Sequence, residues 1–432
     1  MKINNFVTQP SRKVPVVEEV DVLVVGGGIA GSSAAIAASR MGSKTLLIEY
    51  FGCLGGNATT GLVNSFCGFF TKPNLVPVVR GIGGEIVQTM IDRKAAKEKG
   101  WGLSFDPEHL KIVLDEKIGE AKVNLLYYTQ MLDPIVENDV IRGIVIANKA
   151  GRQAILAKMV LDCTGDGDVC ASANVPFELG DGKGGFQACD MAFHLANVTE
   201  EFDDENFSKV LLPRATEAIK KGRYKITRAQ GIIRNIMIPG AYWVNMAGIP
   251  RVVNGIDPYS LTQATIQGRK LVRELQRFFN EEIPGLNHAQ VMQTAAKIGL
   301  RETRRVMGEH VLSGEEILQG KKFDDGVGAN AWPLEMVSAE ERKFIFLEGD
   351  DFHTIPYRSL LPRKIDNLLM AGRFISCTHD AQASIRVTGP ASVMGQAIGT
   401  AAALSIKEKV VPRQLNIKLL QRELERAGVF LG

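Results

Sequence analysis

The sequence has little that would commit it to a membrane, to nucleic acid or to a disulfide scaffold. No uninterrupted apolar run approaches the roughly 18 residues of a membrane span, so no membrane partner is expected. The net charge is only +3 over 432 residues, which gives nucleic acid or an anionic surface no dominant electrostatic footing. The six cysteines (Cys53, Cys67, Cys163, Cys170, Cys189 and Cys377) are scattered with no C-x-x-C pair. Small buried thiols in a reducing compartment are the favoured reading, and no metal site is expected. The opening MKINNFVTQPSRKVP lacks the apolar core of a secretory leader, so a cytoplasmic location is expected. There is no internal repeat and no low-complexity segment. Hydrophobic residues at 45% and charged residues at 23% are ordinary for a globular chain. The length leaves room for more than one domain's core.

Against this plain background one stretch stands out, Val20 to Tyr50. Asp21 to Val25 reads as a strand buried on both faces of a parallel sheet. Gly26, Gly28 and Gly31 follow in the G-x-G-x-x-G spacing. An Ala-rich helix runs to Arg40, and a second apolar run, Thr45 to Ile48, ends in Glu49. That order makes one βαβ unit for a dinucleotide. Gly26 permits a tight turn, Gly28 lets backbone approach a pyrophosphate, and Gly31 lets helix and strand pack closely. The helix N-terminus offers unpaired N–H groups to phosphate. Glu49 is placed to accept hydrogen bonds from a ribose. NAD and FAD are equally good fits to this unit alone.

A second turn, Gly55-Gly56-Asn57, follows directly and is expected further along the same ligand. Phe105 to Ala121 reads as a helix with Asp106 as cap and Pro107 at its start. Three strand-like runs come next, VNLLYY, VIRGIVIA and QAILAKMVLDC, and are read as a meander returning to the sheet at Met159–Asp162. The returning strand ends in DCTGDGDV, and small residues at a strand's carboxyl end lie where open α/β sheets bind ligands. Thr164, Gly165 and Asp166 are therefore cofactor-contact candidates. Gly180 to Gly185 is read as a loop. Asp257 to Phe279 is a strong helix whose basic row is read as a solvated face, and Ser313-x-x-Glu316 is a capping box. Lys364 to Cys377 is read as a buried strand ending in Ala371-Gly372-Arg373. Ser392 to Glu408 is a helix rich in small residues, where Gly395 and Gly399 would let a flat ligand approach the backbone.

Taken in series, these motifs resemble the bacterial FAD-dependent oxidoreductase family, two-dinucleotide-binding-domain flavoproteins often grouped with heterodisulfide reductase A-like proteins. The resemblance rests on VVGGGIAG, EYFGCLGGNATTGLV, LDCTGDGDV, GLRETRRVMGEHVLS, IPYRSLLP, IDNLLMAGRFISCTHDAQASIRV and GQAIGTAAAL. It implies an α/β fold: a Rossmann-like FAD-binding domain with a parallel sheet plus a β-meander, and an inserted mixed α/β substrate domain. The expected boundaries are 18–173 with 354–432 for the FAD-binding domain, 174–353 for the substrate or cap domain, and 1–17 for an N-terminal arm. By the resemblance Gly26, Gly28, Ile29, Ala30 and Gly31 hold the FAD pyrophosphate and Glu49 the ribose. Gly55, Gly56 and Asn57 pass beside the pyrophosphate and ribityl chain. Thr164, Gly165, Asp166, Gly372 and Arg373 border the phosphates. A helix beginning near Gly395, Gln396 and Ala397 aims its positive end at the isoalloxazine N1/O2 edge. The grouped cysteines that hold iron–sulfur clusters in the heterodisulfide reductase relatives are missing here.

With a flavin accepting hydride, the protein has to position substrate and manage a proton. His379, after the strand expected to end at the flavin, suits a base near neutral pH; the alternative is a histidine hydrogen-bonded within its loop. Arg386 is read as a carboxylate binder or a partner of Asp380. Arg301 and Arg305 lie in a run whose burial would need Glu302 as partner, and one of these arginines is expected to reach substrate. Tyr357 and Arg358 are weaker candidates. The expectation is an FAD-dependent dehydrogenase or oxidase acting on a small polar molecule, with electrons passed to an unidentified acceptor. The alternative is a flavin-binding electron-transfer or assembly subunit without turnover. A homo-oligomer is compatible with either.

Overall fold

In the computed structural model the described residues are 11–99, 102–199, 207–338, 340–347, 349 and 351–432. The first strand, β1, runs Val16–Val25, so part of the expected arm already belongs to the sheet. Helix α1 (Ile29–Arg40) and strand β2 (Thr45–Ile48) complete the unit, and β2 pairs parallel to β1 with Val22 opposite Thr45. All four β2 residues are buried, as are Val22 to Val25, because helices and loops cover both faces of a parallel sheet.

The chain then forms a small antiparallel sheet from β3 (Ser65–Phe66), β4 (Ala96–Lys99) and β5 (Gly102–Phe105). Helix α2 (Gly81–Asp92) lies between β3 and β4 in sequence, and α3 (Pro107–Glu120) follows β5. In α3 the Asp106 side chain accepts from the Glu108 N–H, the expected cap. Strands β6 (Asn124–Leu126), β7 (Gln130–Glu137), β8 (Val140–Asn148) and β9 (Gly151–Asp162) come next. The large sheet has the order β6-β2-β1-β9-β8-β7, with Leu368–Met370 pairing parallel to the end of β9.

Two expectations change here. The run VNLLYY belongs to no meander: its β6 is the parallel edge strand, paired with β2. The meander is β7-β8-β9, and β7 was hidden by Pro134, which has no N–H to donate. An edge strand tolerates it, and Pro134 sits opposite Ile144 at the sheet's margin. The expected strand over 364–377 is only Leu368–Met370.

A second apolar cluster gathers residues from Cys189 to Ile298, with Leu62 reaching in from the first part of the chain. It lies in and around an antiparallel sheet with the strands in the order Ile232–Asn235, Tyr242–Gly248, Asp190–Ala196 and Gln290–Thr294. The long helix Pro258–Glu282, capped by Asp257, packs on it through Val272, Leu275, Phe278 and Phe279. Packing returns to the first cluster at Val306, well before 354. Arg304–Val306 pairs with Phe177–Leu179, and the Val306 N–H donates to Phe374 O.

The helix of small residues runs Thr388–Glu408, one turn longer at its start than its composition suggested. A Cβ on Gly395 or Gly399 would fall well inside contact with the carbonyl oxygens of Ala30 and Ala34 in α1. The small residues therefore serve helix-on-helix approach, with α1 and this helix stacked against the sheet.

Candidate active site

Where β1 ends, the turn Gly26–Gly28 opens into a cavity of about 790 Å3. The three glycines of the G-x-G-x-x-G spacing, Gly26, Gly28 and Gly31, do different work. Gly26, at φ +101°, would place a Cβ 2.5 Å from Cys163 O, and a Cβ on Gly31 would collide with Gly26 O. Both are required by the protein's own packing. Gly28 has an ordinary φ of −64°, and a Cβ there would meet no protein atom within 4 Å. Its open side faces the cavity it lines, a cradle that a side chain would occupy. Glu49 closes β2 with both oxygens engaged: Gly27 N–H donates to one at 2.6 Å and Phe51 N–H to the other at 2.8 Å. Each oxygen keeps a lone pair for a ribose hydroxyl.

Further along, Asp162 at the end of β9 is fully buried and accepts from the Thr164 N–H and hydroxyl and from Cys170 N–H, which shapes the loop into α4 (Asp168–Ser172). Asp166 accepts from the Thr303 hydroxyl at 2.7 Å and pairs with Arg373. Burial would raise its pKa, but Arg373 and Lys297 hold it below the usual carboxylate range. Burial, together with Asp166 and Asp162, pushes Asp168 up to about 6. Lys297, from the second unit, lines the same cavity and is lowered by burial and Arg373. Arg386 and Val387 also line it, with Thr388 and Ala391 from the start of the long C-terminal helix Thr388–Glu408.

A second cavity of about 120 Å3 shares Asn57, Ala58, Leu300, Arg373, Arg386, Val387 and Thr388 with the first. Two carboxylates anchor its walls. Glu335 pairs with Arg342 and Arg386 and accepts from the Trp332 indole at 3.2 Å. Burial would raise Glu335, but Arg342, Arg386 and Arg301 outweigh it and hold it at about 2. Asp190 pairs with Arg301 and with the buried Arg228. Burial opposes its charge too, and these arginines keep it far below the usual range. Arg386 carries the opposite strain: burial draws it down to about 10, against the pull of Glu335. Neither acid is a ready base at neutral pH, and no histidine lines either cavity.

The sequence-expected residues divide cleanly. Gly26, Gly28, Ile29, Ala30, Glu49, Gly55, Gly56, Asn57, Thr164, Gly165, Asp166, Gly372 and Arg373 all line the larger cavity. Gly31 stands behind it as a packing residue. Arg386 lines both cavities and Arg301 the smaller. Gly395, Gln396 and Ala397 line neither. Gly395 lies against α1, Ala397 is in the core, and the Gln396 oxygen accepts from Ile82 N–H at 2.9 Å. The helix N-terminus at the cavity is Thr388, seven residues before Gly395 in the chain.

His379 and Arg305 also line neither cavity. They share buried Glu302: His379 Nδ1 lies 2.8 Å from its Oε1, and Arg305 Nε donates to the same oxygen at 3.3 Å. Arg305 also donates to Cys377 O and pairs with Glu178. The hydrogen bond to Glu302 raises the His379 pKa, against burial. This cluster ties the loop after Phe177–Leu179 to the helix His379–Ile385. Tyr357 donates to Pro412 O and Arg358 pairs with Asp325, both structural roles. Missed from the sequence were Asp190, Trp243, Asn245, Trp332, Glu335, Arg342 and Lys297. Two of only three tryptophans in the chain stand on the small cavity, a signal that was available.

The sequence matches the model of the family described as FAD dependent oxidoreductase over residues 21–424. Among solved structures, the chain is similar to a geranylgeranyl bacteriochlorophyll reductase-like protein from Thermoplasma acidophilum. That likeness has 15% identity and a TM-score of 0.47, and covers 96% of this chain and 84% of that one. It is also similar to p-nitrophenol 4-monooxygenase from Pseudomonas putida, at 12% identity and TM-score 0.48 over 94% and 84% of the two chains. L-proline dehydrogenase from P. horikoshii matches at 12% identity and TM-score 0.42, over 96% and 100%. Likenesses this distant say nothing about substrate.

Proposed function

The chain belongs to the FAD dependent oxidoreductase family, and we propose that it moves a hydride between a small polar molecule in the smaller cavity and the flavin. Electrons then pass to an acceptor still to be identified. The observation that carries this reading is the junction of the two cavities at Asn57, Arg386, Val387 and Thr388. FAD, when bound, supplies a hydride acceptor at the flavin ring. The larger cavity fits it: a glycine cradle open at Gly28, a helix N-terminus for the pyrophosphate, and Glu49 with acceptor capacity for the ribose.

The chain's own residues do the rest. Arg386 and Arg301, fixed by Glu335 and Asp190, orient substrate at the junction. Trp243, Trp332, Val63 and Ile232 give the small cavity apolar wall and exclude water. Because both acids are held ionised by arginine, neither is set up to take a proton near neutral pH. That favours a substrate whose oxidation needs no strong base, such as a C–N bond, over an unactivated alcohol.

The test is anaerobic mixing of the purified yellow protein with a panel of small amines, amino acids and hydroxy acids. Loss of the flavin band at ~450 nm, the cofactor's own colour, is expected with one of them. A yellow protein that none of them bleaches would favour a flavin-binding subunit without turnover.

A further inference from the structure

We infer that the smaller cavity is built to take a carboxylate-bearing organic molecule, its acid group held between Arg386 and Arg301. This deepens the reading above, but the binding claim stands separately from turnover. Four arginines line the cavity, Arg301, Arg342, Arg373 and Arg386, against two carboxylates, Asp190 and Glu335. Counting the outer partners, Arg228 on Asp190 and Asp166 on Arg373, adds one charge of each sign and leaves the same positive excess. A buried excess of cations is unfavourable unless an anion joins it. The strain falls on Arg386, whose side chain is only 9% exposed and whose proton burial loosens.

The lining also has unmade hydrogen bonds. Arg386 Nε, Arg373 Nε and Trp243 Nε1 are three buried donors with no partner, against two buried acceptors with none, Asn57 Oδ1 and Asn245 Oδ1. Unpaired buried donors are expensive to leave so, and they sit in residues that share one small space. Donors outnumber acceptors, as a bound oxyanion requires. An inorganic anion would satisfy the charge but has no use for the apolar wall of Val63, Ala192, Ile232, Leu300 and Trp332. A short carbon skeleton does. Asn245 then offers an acceptor for a polar N–H or O–H group elsewhere on the same molecule.

The experiment is titration of the FAD-loaded protein with sodium propionate and sodium benzoate, against propionamide, benzamide and inorganic phosphate, read as a difference in the flavin absorbance. The carboxylates are expected to give a saturable change and the amides none. Arg301→Met, which lies outside the larger cavity, is expected to weaken carboxylate binding by about tenfold or more, with Arg301→Lys restoring part of it. Arg386→Met is read the same way with flavin content measured alongside. Equal binding of acid and amide, or unchanged carboxylate affinity in Arg301→Met, would overturn the inference, as would phosphate binding more tightly than either carboxylate. If a neutral compound bleaches the flavin while carboxylates fail to bind, the anion inference falls and the hydride-transfer reading stands. Carboxylate binding with no bleaching by any compound gives the converse.

Discussion

At the scale of single residues, the glycine turn separates what the protein needs from what its ligand needs. Alanine at position 28 keeps an allowed φ and touches no protein atom, so Gly28→Ala should fold, losing at most about 1 kcal/mol as a poorer helix cap. Its methyl group should nevertheless weaken FAD binding markedly. Gly31→Ala drives a Cβ into Gly26 O and should lose about 3 kcal/mol of stability before cofactor is considered. Apoprotein melting and FAD titration, run on both variants, separate the two effects. His379 gives a pH prediction. Its hydrogen bond to Glu302 raises its pKa, so the stabilising contribution is full below about 6.5 and is lost as pH climbs through the raised value. The melting temperature should therefore fall across neutral pH, and His379→Asn should flatten that fall without slowing flavin reduction. Parallel profiles for the two proteins would count against it. The start of the larger cavity was legible in the sequence because its parts are local: glycines, a strand and an acid within one βαβ unit. His379 suggests a base from its place after the strand expected to end at the flavin, and Arg305 lies in a run whose burial needs Glu302. Their shared partner Glu302 satisfies them away from either cavity.

At the scale of elements, composition announced the C-terminal helix but not its role. Small residues spaced four apart allow a flat ligand or another helix to approach, and the sequence does not choose between them. The structure brings α1 there, backbone against backbone. Gly399→Val should therefore separate the two helices and lower the melting temperature, by about 2–3 kcal/mol of stability. Gly119 in α3 is the contrast. It is exposed with nothing within 4 Å of its Cβ position, so Gly119→Ala should stabilise by about 0.5 kcal/mol through helix propensity alone. If both substitutions shift stability in the same direction, helix contact is not the reason for Gly399. Strand β7 was illegible for a related cause: Pro134 argues against a strand unless the strand is known to lie at an edge, which only the completed sheet reveals.

At the scale of the whole molecule, two apolar clusters meet along the cofactor cavity. The first supplies Val25, Ile29, Ala30, Ile48 and Ala391 to its lining, and the second supplies Leu261, Ile298 and Leu300. The small cavity draws on segments scattered from Asn57 to Thr388; the sequence offered Asn57, Arg301, Arg373 and Arg386, while Asp190, Asn245, Glu335 and Arg342 carried no local pattern to mark them. In the proposed arrangement FAD occupies the larger space while substrate meets it from the smaller. Val63 is half-buried and lines only the smaller cavity, so Val63→Trp fills that space and leaves the FAD cavity unchanged. The deciding measurement is anaerobic flavin reduction in this variant by the compound that bleaches the wild type. The variant should remain yellow and be bleached by dithionite, yet that compound should no longer reduce it. Reduction at the wild-type rate would contradict the claim.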